Sequence, residues 1–153
     1  ISSEPYSWGV GPTIGSTEWY NDTLDDNRNV RACYFDDEYV FGADGSFMNV
    51  LGDETWIEGW QGAEGCGTPI APFDGSIPAT FEYDEANSSL TLNGVGAYIG
   101  LPKVIEGAEL LDPDPASRPE SLTYVATLRD DGTLLVSISF GPGFWNFVLA
   151  RAD

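Results

Sequence analysis

Apolar and polar residues along this chain change over in short runs broken by turn residues, and no stretch holds a helical period for long. Runs rich in β-branched and aromatic residues dominate, which predicts an all-β chain. VRACYFDDEYVF (30–41) is the first clear strand region, and GADG turns it into SFMNVLG (46–52), with Asp44-Gly45 as the hairpin signal. ETWIEGW follows, and then a Gly- and Pro-rich loop runs from Gly62 to Ile77. ATFEYDEANSSLTLNGVGAYIGL predicts two strands about the turn EANSS, with Phe81 and Tyr83 sharing one face and Leu90 and Leu92 another. Gly94, Gly96 and Gly100 interrupt the second of these and mark bulges or a close backbone approach. Val104 to Leu111 predicts one helical turn or a short helix, which DPDP (112–115) cannot continue. LTYVATLRDDGTLLVSISF is a hairpin turned at Asp131-Gly132, and FWNFVLARA is the last strand, with Trp145, Phe147 and Leu149 facing inward.

The sum is about eight strands, each joined to the next by a short turn. Such a meander closes into an antiparallel up-and-down barrel of lipocalin-like type, because closure removes the sheet edges. A two-sheet β-sandwich is the alternative. At 153 residues the chain suits one domain with one core.

Charge narrows the partners. Against 25 acids stand 6 bases, a formal −19, and such a surface repels nucleic acid and anionic membranes. No apolar run approaches the roughly 20 residues of a membrane span. Histidine is absent, which removes His-dependent triads and the usual zinc sites. Catalysis would then fall to carboxylates, and a metal would be a hard cation such as calcium. The Asp-rich NDTLDDN (21–27) and DPDP (112–115) are the places for calcium, although neither follows EF-hand spacing, and no cofactor is expected. Cys33 and Cys66 are either one disulfide or two buried thiols; a bond suits a secreted chain.

The candidate site centres on ETWIEGWQG (54–62). If it is extended, Trp56, Glu58 and Trp60 point to one side and Ile57 and Gly59 to the other. An unpaired carboxylate is costly to bury, so a face carrying all three is expected to be partly wet, and its indoles could stack on sugar rings. Trp19 and Tyr20, in the polar segment GSTEWYND, are possible extensions of this ligand-binding set. WGVGPTIG holds glycines that look like turn formers, with no context for a phosphate loop. Paired carboxylates can hydrolyse glycosides. Asp36, Asp37 and Glu38 are consecutive, so alternate ones face opposite sides, and Glu58, Glu106 and Glu109 lie beside apolar residues.

At RACYFDDEYVFGADGSFMNVLGDETWIEGWQG, CGTPIAPFDGS, LTLNGVGAYIGLPKVIEGAEL and GPGFWNFVLA the chain resembles a recurring domain of secreted marine-bacterial proteins. That domain is found beside laminarinase-type glycoside hydrolases and in cell-surface polysaccharide-utilisation proteins. The F…DGSF hairpin is also similar to lipocalin-like domains. The resemblance implies an extracellular accessory role, next to other domains of a larger chain, and supplies no catalytic residues. The expected function is a non-catalytic carbohydrate-binding module acting on a polysaccharide or oligosaccharide. The alternatives are a lipocalin-like carrier of a small apolar ligand and a carboxylate-dependent glycoside hydrolase.

Overall fold

Alternation decides which face of each strand the core takes. In Ser121–Leu128 the buried side chains are Leu122, Tyr124 and Ala126; in Phe144–Leu149 the buried apolar ones are Trp145, Phe147 and Leu149. A computed structural model of the protein describes residues 1–62, 64–111 and 117–152. Its first strands are β1 (Trp8–Gly11), β2 (Tyr20–Asn21), β3 (Glu38–Phe41), β4 (Ser46–Val50), β5 (Thr55–Ile57) and β6 (Gly65–Gly67). After these come β7 (Ala79–Asp84), β8 (Ser89–Asn93), β9 (Val104–Ile105) and β10 (Ala108–Glu109). The chain finishes with β11 (Ser121–Leu128), β12 (Leu134–Ser139) and β13 (Phe144–Leu149).

Nine of these strands form one antiparallel sheet, ordered β2-β1-β13-β12-β11-β8-β7-β4-β3. The expected meander is present from β7 to β13, and the first strand pairs with the last, with Trp8 opposite Phe147 and Val10 opposite Trp145. The order is linear: β2 and β3 are its ends, and no ladder joins them among the described residues. The sheet nevertheless curls around one core. Tyr34, just before β3, meets the Trp8 ring edge-on at 6.2 Å, and the Tyr39 hydroxyl accepts from the Gly100 N–H at 3.0 Å. Leu92, Ile99, Val136 and Phe147 fill the middle with no solvent exposure. Gly96 and Gly100 sit as expected where neighbours crowd the backbone, against Pro72 and the Phe147 ring.

Three local expectations are corrected. Of residues 30–41 only Glu38–Phe41 is a strand; the earlier part follows a helical turn, α1 (Asn27–Val30), with a 3₁₀ turn at Ala32–Tyr34. That turn is anchored by the Cys33–Cys66 disulfide, which closes a loop with a sequence separation of 33. A crosslink of that span stabilises by about 3–4 kcal/mol in the chain-entropy picture. Val104 to Leu111 is not helical but a small hairpin of β9 and β10. Its short apolar run buries Val104 and Leu110, whereas a helix there would need a longer periodic face. Finally, WGVG is the buried strand β1 rather than a turn. A Cβ at Gly9 would stand 2.4 Å from the Tyr20 carbonyl oxygen, so glycine lets β2 and residue 17 lie against the strand.

The outer face of β12, β13 and β1 is covered by the loop of residues 12–19, and Asn146 holds it there. Its Oδ1 accepts from the Gly15 N–H at 2.7 Å and the Ser137 hydroxyl at 2.6 Å, while its Nδ2 donates to the Ser16 carbonyl at 2.7 Å. Asn146 is 2% exposed, so truncating it orphans several buried groups. Asn146→Ala is expected to cost about 2–3 kcal/mol in urea unfolding. Hydrogen exchange at the amides of residues 15–19 should speed up while β7 and β8 keep their protection.

Candidate functional site

The strand carrying Trp56 stops at Ile57. Glu58 is still extended, but Gly59–Gln61 winds into a 3₁₀ turn in which the Gln61 side chain accepts from the Glu58 N–H at 3.0 Å. Glycine at 59 and the reach of Gln61 break the extended run, and Trp60 is carried off the face that holds Trp56 and Glu58. The expected wet platform is therefore not formed: Trp56 is 5% and Glu58 7% exposed.

Glu58 is buried because it has cations for company. Lys103 Nζ stands 3.7 Å from its Oε2. Burial raises the Glu58 carboxyl above its ordinary range, and Lys103 and Arg31 pull against that. The Arg31 guanidinium lies between two indoles, 4.1 Å from the Trp56 ring and 5.1 Å from that of Trp8. Lys103 Nζ is 4.9 Å from the Trp145 ring, and Trp145 Nε1 donates to Glu109 at 2.5 Å. Trp8 stacks on Trp145, which stacks on Phe147. Nothing in the spacing of the sequence announced this column of buried aromatics and half-buried cations, because its members come from five separated segments.

Trp60 sits elsewhere. Its ring meets Phe73 edge-on at 5.6 Å, with the Arg118 guanidinium 4.4 Å away, and these residues with Pro72 enclose a small pocket of about 110 Å³. Tyr20 is half-buried, its hydroxyl donating to Asn27 at 3.0 Å and its ring 5.9 Å from Trp8. Trp19 is different: it is 50% exposed. The edge of its six-membered ring lies where a Cβ on residue 143 would stand, 2.5 Å away, so only glycine at 143 seats the indole in this way.

A groove of about 760 Å³ runs along β3. Residues 35–41 form one wall, and Leu128, Leu134, Leu149 and the chain from 150 to 152 form the other. The three consecutive acids divide as their alternation predicts, with Asp36 and Glu38 exposed and Asp37 buried. Burial pushes the Asp37 carboxyl up to about 7, against a hydroxyl hydrogen bond from Thr55 at 2.7 Å. Of the other acids, Glu106 lies exposed in the β9–β10 turn. In the Asp-rich 21–27 loop Asp22 is fully buried and already serves protein donors: the Tyr6 N–H at 2.7 Å, the Ser7 hydroxyl at 3.1 Å and the Arg28 guanidinium. DPDP (112–115) lies outside the described residues. No family model, curated protein or solved structure matches this chain.

Asp37 has a pH signature. Its folded pKa of about 7 lies above the ordinary 3.8, so the folded state holds a proton that the unfolded chain has lost. Stability from this group is complete below about pH 4 and falls as pH rises toward 7. Asp37→Asn keeps an acceptor for Thr55 and removes that loss. It should raise unfolding free energy at pH 8 by up to about 4 kcal/mol and change little at pH 4. Equal effects at both pH values in urea melts would contradict the assignment.

Proposed function

We propose that this protein is a non-catalytic carbohydrate-binding module of a secreted polysaccharide-degrading system, with Trp19 as its stacking surface. The observation that carries the reading is the half-exposed Trp19 indole, seated against the backbone of Gly143. An indole half in water presents an open apolar face, and the apolar face of a sugar ring is a suitable partner for it. We read the curled sheet as a lipocalin-like barrel whose seam lies beside β3. Trp56 and Glu58 then serve as the barrel's interior, Trp60 belongs to the separate pocket by Phe73, and Tyr20 fixes the segment that carries Trp19 through its bond to Asn27.

The other readings have less support. A carrier of a small apolar ligand needs a chamber inside the sheet, where Leu92, Ile99, Val136 and Phe147 stand fully buried. A glycosidase needs a protonated carboxyl that can reach substrate. Asp37 and Glu58, the two carboxyls raised by burial among the described residues, are only 2% and 7% exposed. No helix among the described residues is long and apolar enough to cross a membrane.

Affinity electrophoresis through gels containing neutral β-glucans tests the proposal. The wild-type protein should be retarded by at least one glycan, and Trp19→Ala should weaken retention about tenfold or more, with an unchanged circular dichroism spectrum. Retention that survives Trp19→Ala removes the site, and free migration through every gel in the panel removes the function.

A further inference from the structure

β3 is an end strand of the sheet, paired only with β4 among the described residues. In an antiparallel ladder the backbone groups of alternate residues point to one neighbour and those of the residues between point to the other. Gly42 N–H donates to the Ser46 carbonyl at 2.8 Å, which fixes the phase: residues 38, 40 and 42 face β4, and residues 37, 39 and 41 face away from it. On that far side the Asp37 carbonyl accepts from the Ile1 nitrogen at 3.3 Å. The N–H and C=O of Tyr39 and Phe41 have no hydrogen-bond partner among the described residues. They open onto the groove of about 760 Å³ whose wall is formed by all seven residues from 35 to 41.

We propose that this groove takes an extended peptide segment of a partner protein, added to the sheet as a strand beside β3 and alternating apolar with basic residues. The backbone requires an extended chain, because only a strand can satisfy spaced N–H and C=O groups along an edge. The side-chain pattern follows from the two faces of β3. Inward, Tyr39 and Phe41 join Leu134 and Leu149 in a half-buried apolar floor, so every second residue of the added strand is apolar. Outward, the exposed Asp36 and Glu38 lie along one end of the edge and the exposed Val40 at the other, so the residues of the added strand that face the two acids are basic. A second copy of the chain would bring another −19 and the same acids to this edge, which disfavours self-pairing. This site is separate from the Trp19 surface, and a failure here leaves the carbohydrate proposal standing.

The probe is a capped heptapeptide, Lys-Val-Lys-Val-Lys-Val-Lys, titrated into ¹⁵N-labelled protein at low salt. Its controls are the same peptide with glutamate for lysine and one with proline at the central position, which cannot pair. Amide shifts confined to residues 35–41 and the 128–134 and 149–152 walls are expected for the lysine peptide alone. The double substitution Asp36→Lys and Glu38→Lys, both at exposed positions, should reverse the preference toward the glutamate peptide by at least tenfold. Three outcomes would overturn the proposal: equal shifts with the proline peptide, no reversal in the double variant, or a concentration-dependent dimer that protects the β3 amides without peptide.

Discussion

A half-buried cation set against two indoles is the constraint on which the rest of the structure depends. Arg31 lies between Trp56 and Trp8, and Trp8 continues through Trp145 to Phe147, so one column joins β5, the turn before β3, and both terminal strands of the chain. Putting a guanidinium there is tolerable only with π-faces above and below it and a carboxylate in its field, and Glu58 supplies the second. Glu58 in turn is held by Lys103, which lies over Trp145 in the same column. The two cations are thus the condition for burying Glu58. The curl of the sheet follows, since the segments beside β3 can reach β1 only by wrapping the column.

Much of the fold was legible in the residues. Alternation in FWNFVL marked the inner face of β13, and Asp-Gly pairs at 44–45 and 131–132 marked two hairpins. The errors arose where a distant partner overrode a local preference. Residues 30–35 have strand-forming residues, but a disulfide from Cys66 and the burial of Tyr34 wind them into turns. WGVG has the composition of a turn, yet its glycines make room for the neighbouring chain.

The candidate site was legible in part. Trp19 was recognisable as a bulky aromatic in polar surroundings, and it is half-exposed. The Trp56–Glu58–Trp60 face could not be judged from its spacing, because the outcome depended on whether cations far away in the chain would neutralise Glu58. Lys103, 3.7 Å from the carboxylate, and Arg31 offset part of the cost of burying it. The groove beside β3 left no mark in the sequence, since its two walls meet only once the sheet has curled.

The placement of the cations also governs how the molecule behaves among copies of itself. Four of the six bases (Arg28, Arg31, Lys103 and Arg118) lie over aromatic rings. With 25 acids against 6 bases, the surface is strongly one-sided in charge. An unpaired strand edge ordinarily invites growth of fibres by edge-to-edge stacking. Here the mutual repulsion of like surfaces stands guard over that edge, and its range is the Debye length. In concentrated salt the guard shrinks to a few ångströms, and the two acids beside the strand, Asp36 and Glu38, are left as the barrier that keeps one molecule from becoming the template for the next.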